Sequence, residues 1–235
     1  SEVKGLNIHF IHEKSENPNA MPIVVTHGWP STFFEMHKII PRLTNPASYG
    51  GDPSDSFDVI APSLPGYGFS EASKTSGMDV KSVADIWNEL ITKELGYPKY
   101  AVHGGDIGAG VTARLGHRHY ENIHGIHLTS VTRPTPYLGE NAEPLTEAEK
   151  AHLEQRLNWE QEEGAYGHMH RTKPQTLSYG LNDSPVGLAG WIVEKYRSWS
   201  DCGGDIESAY TKDELLTNIM IYWTTNTIGS AVRMY

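Results

Sequence analysis

Asp106 lies in the run Tyr100-Ala-Val-His-Gly-Gly-Asp-Ile-Gly-Ala-Gly110, where a β-rich stretch ends in a glycine-flanked acid and passes into small residues suited to a helix. This is the pattern of a nucleophile elbow, with a carboxylate where serine is usual. Such a turn is sharp and strained, and side chains crowded within it would collide, so Gly104, Gly105 and Gly108 supply the room. A carboxylate placed there faces the amino end of the following helix, whose unpaired N–H groups favour the anion. The chemistry to expect is attack of the carboxylate on carbon to give an alkyl ester. Asp at a helix start is also a common N-cap, and the short motif by itself fits both readings.

Two further segments favour the chemical reading. Pro22-Ile-Val-Val-Thr-His-Gly-Trp-Pro30 reads as a buried strand breaking into a His-Gly turn, the place from which an α/β-hydrolase donates a backbone N–H to its oxyanion. Phe57-Asp-Val-Ile-Ala-Pro-Ser-Leu-Pro-Gly-Tyr-Gly-Phe-Ser70 is another apolar strand followed by a loop rich in Pro and Gly. In this order and spacing the three segments resemble the epoxide hydrolases of the α/β-hydrolase superfamily. Glu163-Gly-Ala-Tyr-Gly-His-Met-His170, Thr172-Lys-Pro-Gln-Thr176 and Leu181-Asn-Asp-Ser-Pro-Val-Gly-Leu-Ala189 are similar to the cap of the microsomal-type branch. Gly229-Ser-Ala-Val-Arg-Met-Tyr235 falls where that branch has its second cap tyrosine. The resemblance covers essentially the whole chain.

The resemblance implies an α/β fold: an α/β-hydrolase core, mostly parallel sheet flanked by helices, with an inserted helical cap and with the C-terminal strands absent from this chain. It implies that Asp106 opens an epoxide to an alkyl-enzyme ester, which water hydrolyses to a vicinal diol. Tyr166 and Tyr235 would hold the epoxide oxygen, and the backbone N–H groups of Trp29 and Ile107 would hold the oxyanion of the second step. Phenols suit the first task because tyrosine, with an ordinary pKa of about 10, is a protonated donor at neutral pH. The chain has 12 tyrosines, and position alone does not single out these two. No cofactor is implied. The substrate expected is a small apolar or aryl epoxide, in keeping with a detoxifying hydrolase.

The sequence departs from the pattern at the triad, which runs nucleophile, acid, histidine with the last two after the cap. Its final histidine is His170, inside the expected cap, and Asp201, Asp205, Glu207 and Asp213 read as loop and helix-start residues. Family members also carry an N-terminal segment that this chain is expected to lack. The expectation is therefore a piece of a longer enzyme, with the acid and histidine on a second polypeptide. A dehalogenase would use the same aspartate, yet needs side-chain N–H donors for the halide, which Trp29 could offer and Ile107 could not. A ligand-binding protein that keeps the fold without the chemistry is the other alternative.

Composition bounds the partners. With 19 basic and 29 acidic residues the net charge is -10, without a basic cluster, which argues against nucleic acid and anionic membrane surfaces. The single cysteine, Cys202, allows no internal disulfide and points to a reducing, cytoplasmic setting. No bilayer-length apolar run or signal peptide is seen. The pairs His117 with His119 and His168 with His170 are spaced by two, which places helical neighbours on different faces, so packing or surface roles are expected in preference to a metal site. His103, His124 and His127 read as sheet residues.

The elements that must position Asp106 follow from periodicity. Strands are expected at residues 6–11, 23–26, 100–103 and 123–130, and helices at residues 80–95 and 111–119, with Asp79 as N-cap of the first. Alternation of this kind predicts parallel pairing through right-handed crossovers. Prolines after residue 133 break the pattern. Helical runs then follow at residues 145–163, 186–199 and 215–233, which divides the chain into a core over 1–133 and a helical cap region over 134–235.

Overall fold

The computed structural model describes residues 1–131 and 136–235. The boundary expected between Arg133 and Pro134 lies outside the described residues. The chain begins with a two-stranded antiparallel hairpin, β1 (Glu2–Val3) and β2 (Leu6–Asn7), followed by β3 (Phe10–Glu13). The single strand expected over residues 6–11 is thus two strands. Backbone bonding changes partner between them: Ile8 N–H donates to the Ser1 carbonyl at 2.8 Å, whereas the His9 carbonyl accepts from Ser63 N–H at 2.9 Å.

The central sheet has the order β3, β5, β4, β6, β7, in which β4 (Met21–Thr26), β5 (Phe57–Pro62), β6 (Tyr100–Gly104) and β7 (Ile123–Leu128) are parallel and β3 is antiparallel to β5. Val24, which pairs with both β5 and β6, is buried, as are Val25 and Thr26 after it. A short α1 (Ile40–Thr44) lies between β4 and β5. In α2 (Val80–Glu89) Asp79 accepts from Ser82 N–H at 2.8 Å, and Val83, Ala84, Ile86 and Trp87 are buried. The last turn, Leu90–Glu94, is wider than an α-helical one, and the chain leaves it at Gly96 with φ +75°.

After β6 the chain enters α3 (Asp106–Arg118), five residues before the apolar periodicity marks a helix. Small residues hide that first turn from a hydrophobic pattern while permitting close packing. A Cβ at Gly108 would collide with the Thr26 carbonyl of β4, so only glycine lets the helix lie this near the strand.

Beyond β7 the described regular elements are all helical. They are α4 (Glu147–Glu162), α5 (Ala165–Thr172), α6 (Pro174–Asp183), α7 (Pro185–Trp199), α8 (Lys212–Thr225) and α9 (Ile228–Val232). Thr146 and Glu149 cap α4 reciprocally, and Ser184 caps α7 by accepting from Gly187 N–H at 3.0 Å. The helix expected over residues 215–233 is split where Asn226 takes φ +57°. Helices α5 and α6 add to the expected runs, their brevity leaving little periodicity to read.

Helices α8 and α9 are fastened to the core loops by hydrogen bonds to backbone. Tyr222 Oη donates to the Ser31 carbonyl at 2.7 Å, Asn218 Nδ2 to the Pro30 carbonyl at 2.9 Å, and Tyr67 Oη to the Ala231 carbonyl at 3.1 Å. His27, wholly buried, ties the loop after β4 to the loop after β5: its Nε2 accepts from Leu64 N–H at 3.1 Å, which leaves Nδ1–H to donate to the Gly28 carbonyl at 3.1 Å. Replacing His27 with Ala leaves a cavity and two unsatisfied backbone groups. We expect a loss of about 2–4 kcal/mol in unfolding free energy, read from urea denaturation, with m unchanged.

Candidate active site

Asp106 is the first residue of α3 and holds φ +49°, a left-handed backbone conformation that a non-glycine residue rarely adopts. Gly105 occupies the N-cap position, so the aspartate is not the helix cap. Its carboxylate turns to β4's loop instead, where Oδ1 accepts from Trp29 N–H at 2.9 Å, and it also accepts from Ile107 N–H. Asp106 N–H donates to Ser130 Oγ at 3.3 Å, which ties the elbow to the end of β7. The approach is so close that a Cβ at Gly28 would overlap the Asp106 carboxylate. Of the two backbone donors expected at one site, Trp29 N–H bonds this side chain, and the Ile107 N–H lies near enough to lower its pKa.

Asp106 is open to solvent on its cavity side and crowded by protein on the others. Burial pushes its pKa up, and the Ile107 and Trp29 N–H groups pull it down without cancelling that effect. The backbone N–H groups at the helix end favour the anion, and burial opposes them.

The cavity beside Asp106 has a volume of about 480 Å³, and its walls include Trp29, Glu35, Lys195, Tyr196 and Trp199. Glu35 reaches solvent through this opening, yet the protein around it, ahead of the Asp106 charge, pushes its carboxyl up to about 7 against a hydrogen bond from Ser31. Sequence reading passed over Glu35 and Lys195. A signal for Lys195 exists: it follows Leu188 and Ile192 at helical spacing on the buried face of α7 and is itself 7% exposed.

Tyr166, in the first turn of α5, stacks on Trp29 with ring centroids 5.1 Å apart and planes 10° apart. Tyr235 meets Tyr166 edge-on at 5.8 Å and Trp29 at 6.2 Å. The structure therefore gathers both phenols around the Trp29 indole, whose backbone N–H holds Asp106. Neither phenol, nor Ile107, is on the cavity wall itself. Burial pushes Tyr166 up, Tyr235's hydroxyl pulls it down, and the Asp106 charge pushes it up again. Tyr235 is driven far above the usual phenol range by burial first and by Asp106 next. Both are neutral donors at physiological pH.

His170 is wedged among these rings, with centroids 4.7 Å from both Trp29 and Tyr235, and is 1% exposed. Trp191 Nε1–H donates to its Nε2 at 3.2 Å, so the neutral ring carries its proton on Nδ1. His168 on the same helix is exposed, as the two-residue spacing requires. His119 pairs with Asp85 at 2.8 Å, and His103 shares a hydrogen bond with His127 between neighbouring strands, Nδ1 to Nδ1, at 2.8 Å. Among the described residues no group of three or more His, Cys, Asp or Glu could hold a metal ion, and no helix is long and apolar enough to cross a membrane.

Comparison with known proteins gives the family. Residues 21–162 match the family model described as alpha/beta hydrolase fold, and the chain belongs to that family. Its likeness within the family is to epoxide hydrolases. Residues 1–36 match the model described as epoxide hydrolase N terminus, which corrects the expectation that the N-terminal segment is lacking: part of it is present. The chain is 37% identical over 257 residues to epoxide hydrolase 1 of Sus scrofa, covering 100% of this chain and 56% of that one. The juvenile hormone epoxide hydrolase of the silkworm Bombyx mori superposes with a TM-score of 0.79 at 32% identity, over 100% of this chain and 56% of that one. The epoxide hydrolase of Aspergillus niger gives 0.80 at 31%, over 100% and 59%. The chain spans about half the length of the curated relatives it matches.

His27 and His170 are each held neutral by burial, with pKa values lowered from 6.5 to about 4. A folded value below the unfolded one means the unfolded chain binds more protons. The stability this contributes is complete above pH 6.5 and is lost as pH falls towards 4, by on the order of 3 kcal/mol per histidine. Urea midpoints measured across this window should fall with pH, and His170→Phe should flatten the decline.

Proposed function

We propose that the protein is an epoxide hydrolase in which Asp106 is the nucleophile. The observation that carries this reading is a carboxylate on a strained elbow, fixed by Trp29 N–H and facing a cavity, with two neutral phenols close enough to feel its charge. The names of the similar proteins support it. One carboxylate oxygen is held by Trp29 while the other attacks an epoxide carbon from behind. The carbon–oxygen bond of the strained ring breaks, and the developing alkoxide takes hydrogen bonds from Tyr166 and Tyr235, which the helical region supplies as a cap.

Once the ester has formed, the oxygen bound to Trp29 N–H is its carbonyl oxygen. Water adding to that carbonyl places negative charge where the Trp29 and Ile107 N–H groups already point. Among the described residues no histidine is hydrogen-bonded to Asp106, so in this reading the base and its acid partner come from a second segment, in the same protein or on another polypeptide. Without them the ester persists, since general-base help is worth roughly 10² to 10⁴ in rate.

A dehalogenase reading is weaker. Ile107 has no side-chain donor, which leaves the Trp29 indole Nε1, buried with no hydrogen-bond partner, as the single N–H of the pair that could hold a halide. A small apolar or aryl epoxide suits the aromatic walls.

The test is intact-mass spectrometry after incubation with styrene oxide. We expect an adduct of one substrate mass in the parent protein and none in Asp106→Asn. Tyr166→Phe and Tyr235→Phe should each slow adduct formation by on the order of 10². Neither adduct nor diol, in a protein that remains folded, would overturn the enzymatic reading in favour of a ligand-binding one.

A further inference from the structure

Lys195 departs from the habit of lysines. The side chain is 9% exposed, and on the cavity wall its ammonium is held by two carboxylates. It bonds Glu163 Oε2 at 2.8 Å and Glu194 Oε2 at 2.9 Å. Glu163 Oε2 also accepts from Trp199 Nε1–H at 3.1 Å, so one carboxylate fixes both the ammonium and the neighbouring indole. The result is a cation 5.3 Å from the Tyr166 ring centroid and 5.4 Å from that of Trp199.

We propose that Lys195 is a positioning residue for the Tyr166 phenol: its ammonium, clamped between the Tyr166 and Trp199 rings by Glu163, stabilises negative charge arriving at the phenol oxygen. The inference rests on the reading in which Tyr166 donates to the epoxide oxygen. As the ring opens, that hydrogen bond strengthens and the phenol takes on phenolate character. A fixed cation beside the ring favours that state over the neutral one. The ion pair itself would serve packing equally well anywhere on α7. Its location against this one phenol gives it a chemical consequence.

Every charged or titratable group around Tyr166 bears on this balance. Asp106 of the core opposes phenolate formation, as does burial of the ring; Arg171 on α5 and Lys195 on α7 favour it, and Tyr235's hydroxyl favours it directly. Glu163 at the end of α4 and Glu194 on α7 temper the lysine, and His170 is neutral. Lys195 stays charged, since its carboxylate partners outweigh the desolvation that would lower its pKa.

The test is a tyrosine titration that needs no turnover. The protein is labelled with 3-fluorotyrosine and followed by ¹⁹F NMR against pH, with Tyr166→Phe assigning the resonance. Lys195→Met is expected to raise the Tyr166 midpoint by about one unit, a tenfold weaker acid. Lys195→Arg should stay near the parent, and Glu163→Gln, which keeps an amide oxygen to hold the ammonium while removing the counter-charge, should lower the midpoint. Adduct formation with styrene oxide should slow about tenfold in Lys195→Met and recover in Lys195→Arg. An unmoved Tyr166 midpoint in folded Lys195→Met overturns the proposal. If that variant does not fold, an unmoved or raised midpoint in Glu163→Gln overturns it. A parent protein that forms no adduct sinks the epoxide reading, while the titration still decides whether the lysine tunes the phenol.

Discussion

The hydrogen bond from Trp29 N–H to Asp106 Oδ1 joins residues 77 positions apart, and the site is organised around it. A strained residue does not keep a positive φ unless its surroundings determine it. Here the determinants come from both ends of the bond. Gly28 admits the carboxylate, Ser130 accepts the Asp106 N–H, and Gly108 lets α3 press against β4. On the donor side, buried His27 holds the loop that presents Trp29, and Asn218 of α8 reaches the carbonyl of Pro30. Backbone, core and helical region thus meet at a single N–H group.

The same tryptophan does two jobs through different parts of the residue. Its main chain addresses the carboxylate. Its indole forms the floor on which Tyr166 stacks and against which His170 and Tyr235 pack. The phenols are therefore referred to the Asp106 carboxylate through one rigid side chain and not through long flexible contacts. Lys195 and Glu163 extend the arrangement outward by one layer.

Much of the site was legible in the sequence where chemistry demands a backbone pattern. The glycines around Asp106 and the His-Gly-Trp-Pro turn announce close approach and a strained turn, and these are local properties. Helix α3 was placed late because Gly108, Ala109 and Gly110 carry no hydrophobic rhythm, although their smallness is what packs the helix onto β4. The break between β2 and β3 leaves the alternation intact while the hydrogen bonds change partner, so no periodicity reports it. Glu35 and Lys195 have no signature of a shared site in the chain because the cavity they line is assembled by the loop after β4 and by α7, far apart in sequence. The roles of Tyr166 and Tyr235 were suggested by resemblance alone, and nothing in their own spacing distinguishes them from the other ten tyrosines among the 12.

The last strand in the sheet has a bearing on how the protein behaves in bulk. Among the described residues β7 has a partner on one side only, and its outer edge offers unpaired backbone groups along Ile123-His-Gly-Ile-His-Leu128, with Ile126 50% and nearby Val131 73% exposed. Natural sheets guard such an edge with lysine, proline or a protruding bulge; β7 contains neither lysine nor proline, but its register shifts at its start, where Tyr100 pairs with Ile123 and Ala101 with Gly125. A net charge of -10 on each molecule adds a long-range repulsion that opposes the meeting of two such edges. Added salt screens that repulsion within about 10 Å at 0.1 M, and acid titrates it away. Charge spread over the whole surface thus bears on an edge where the described sheet is open to a further strand.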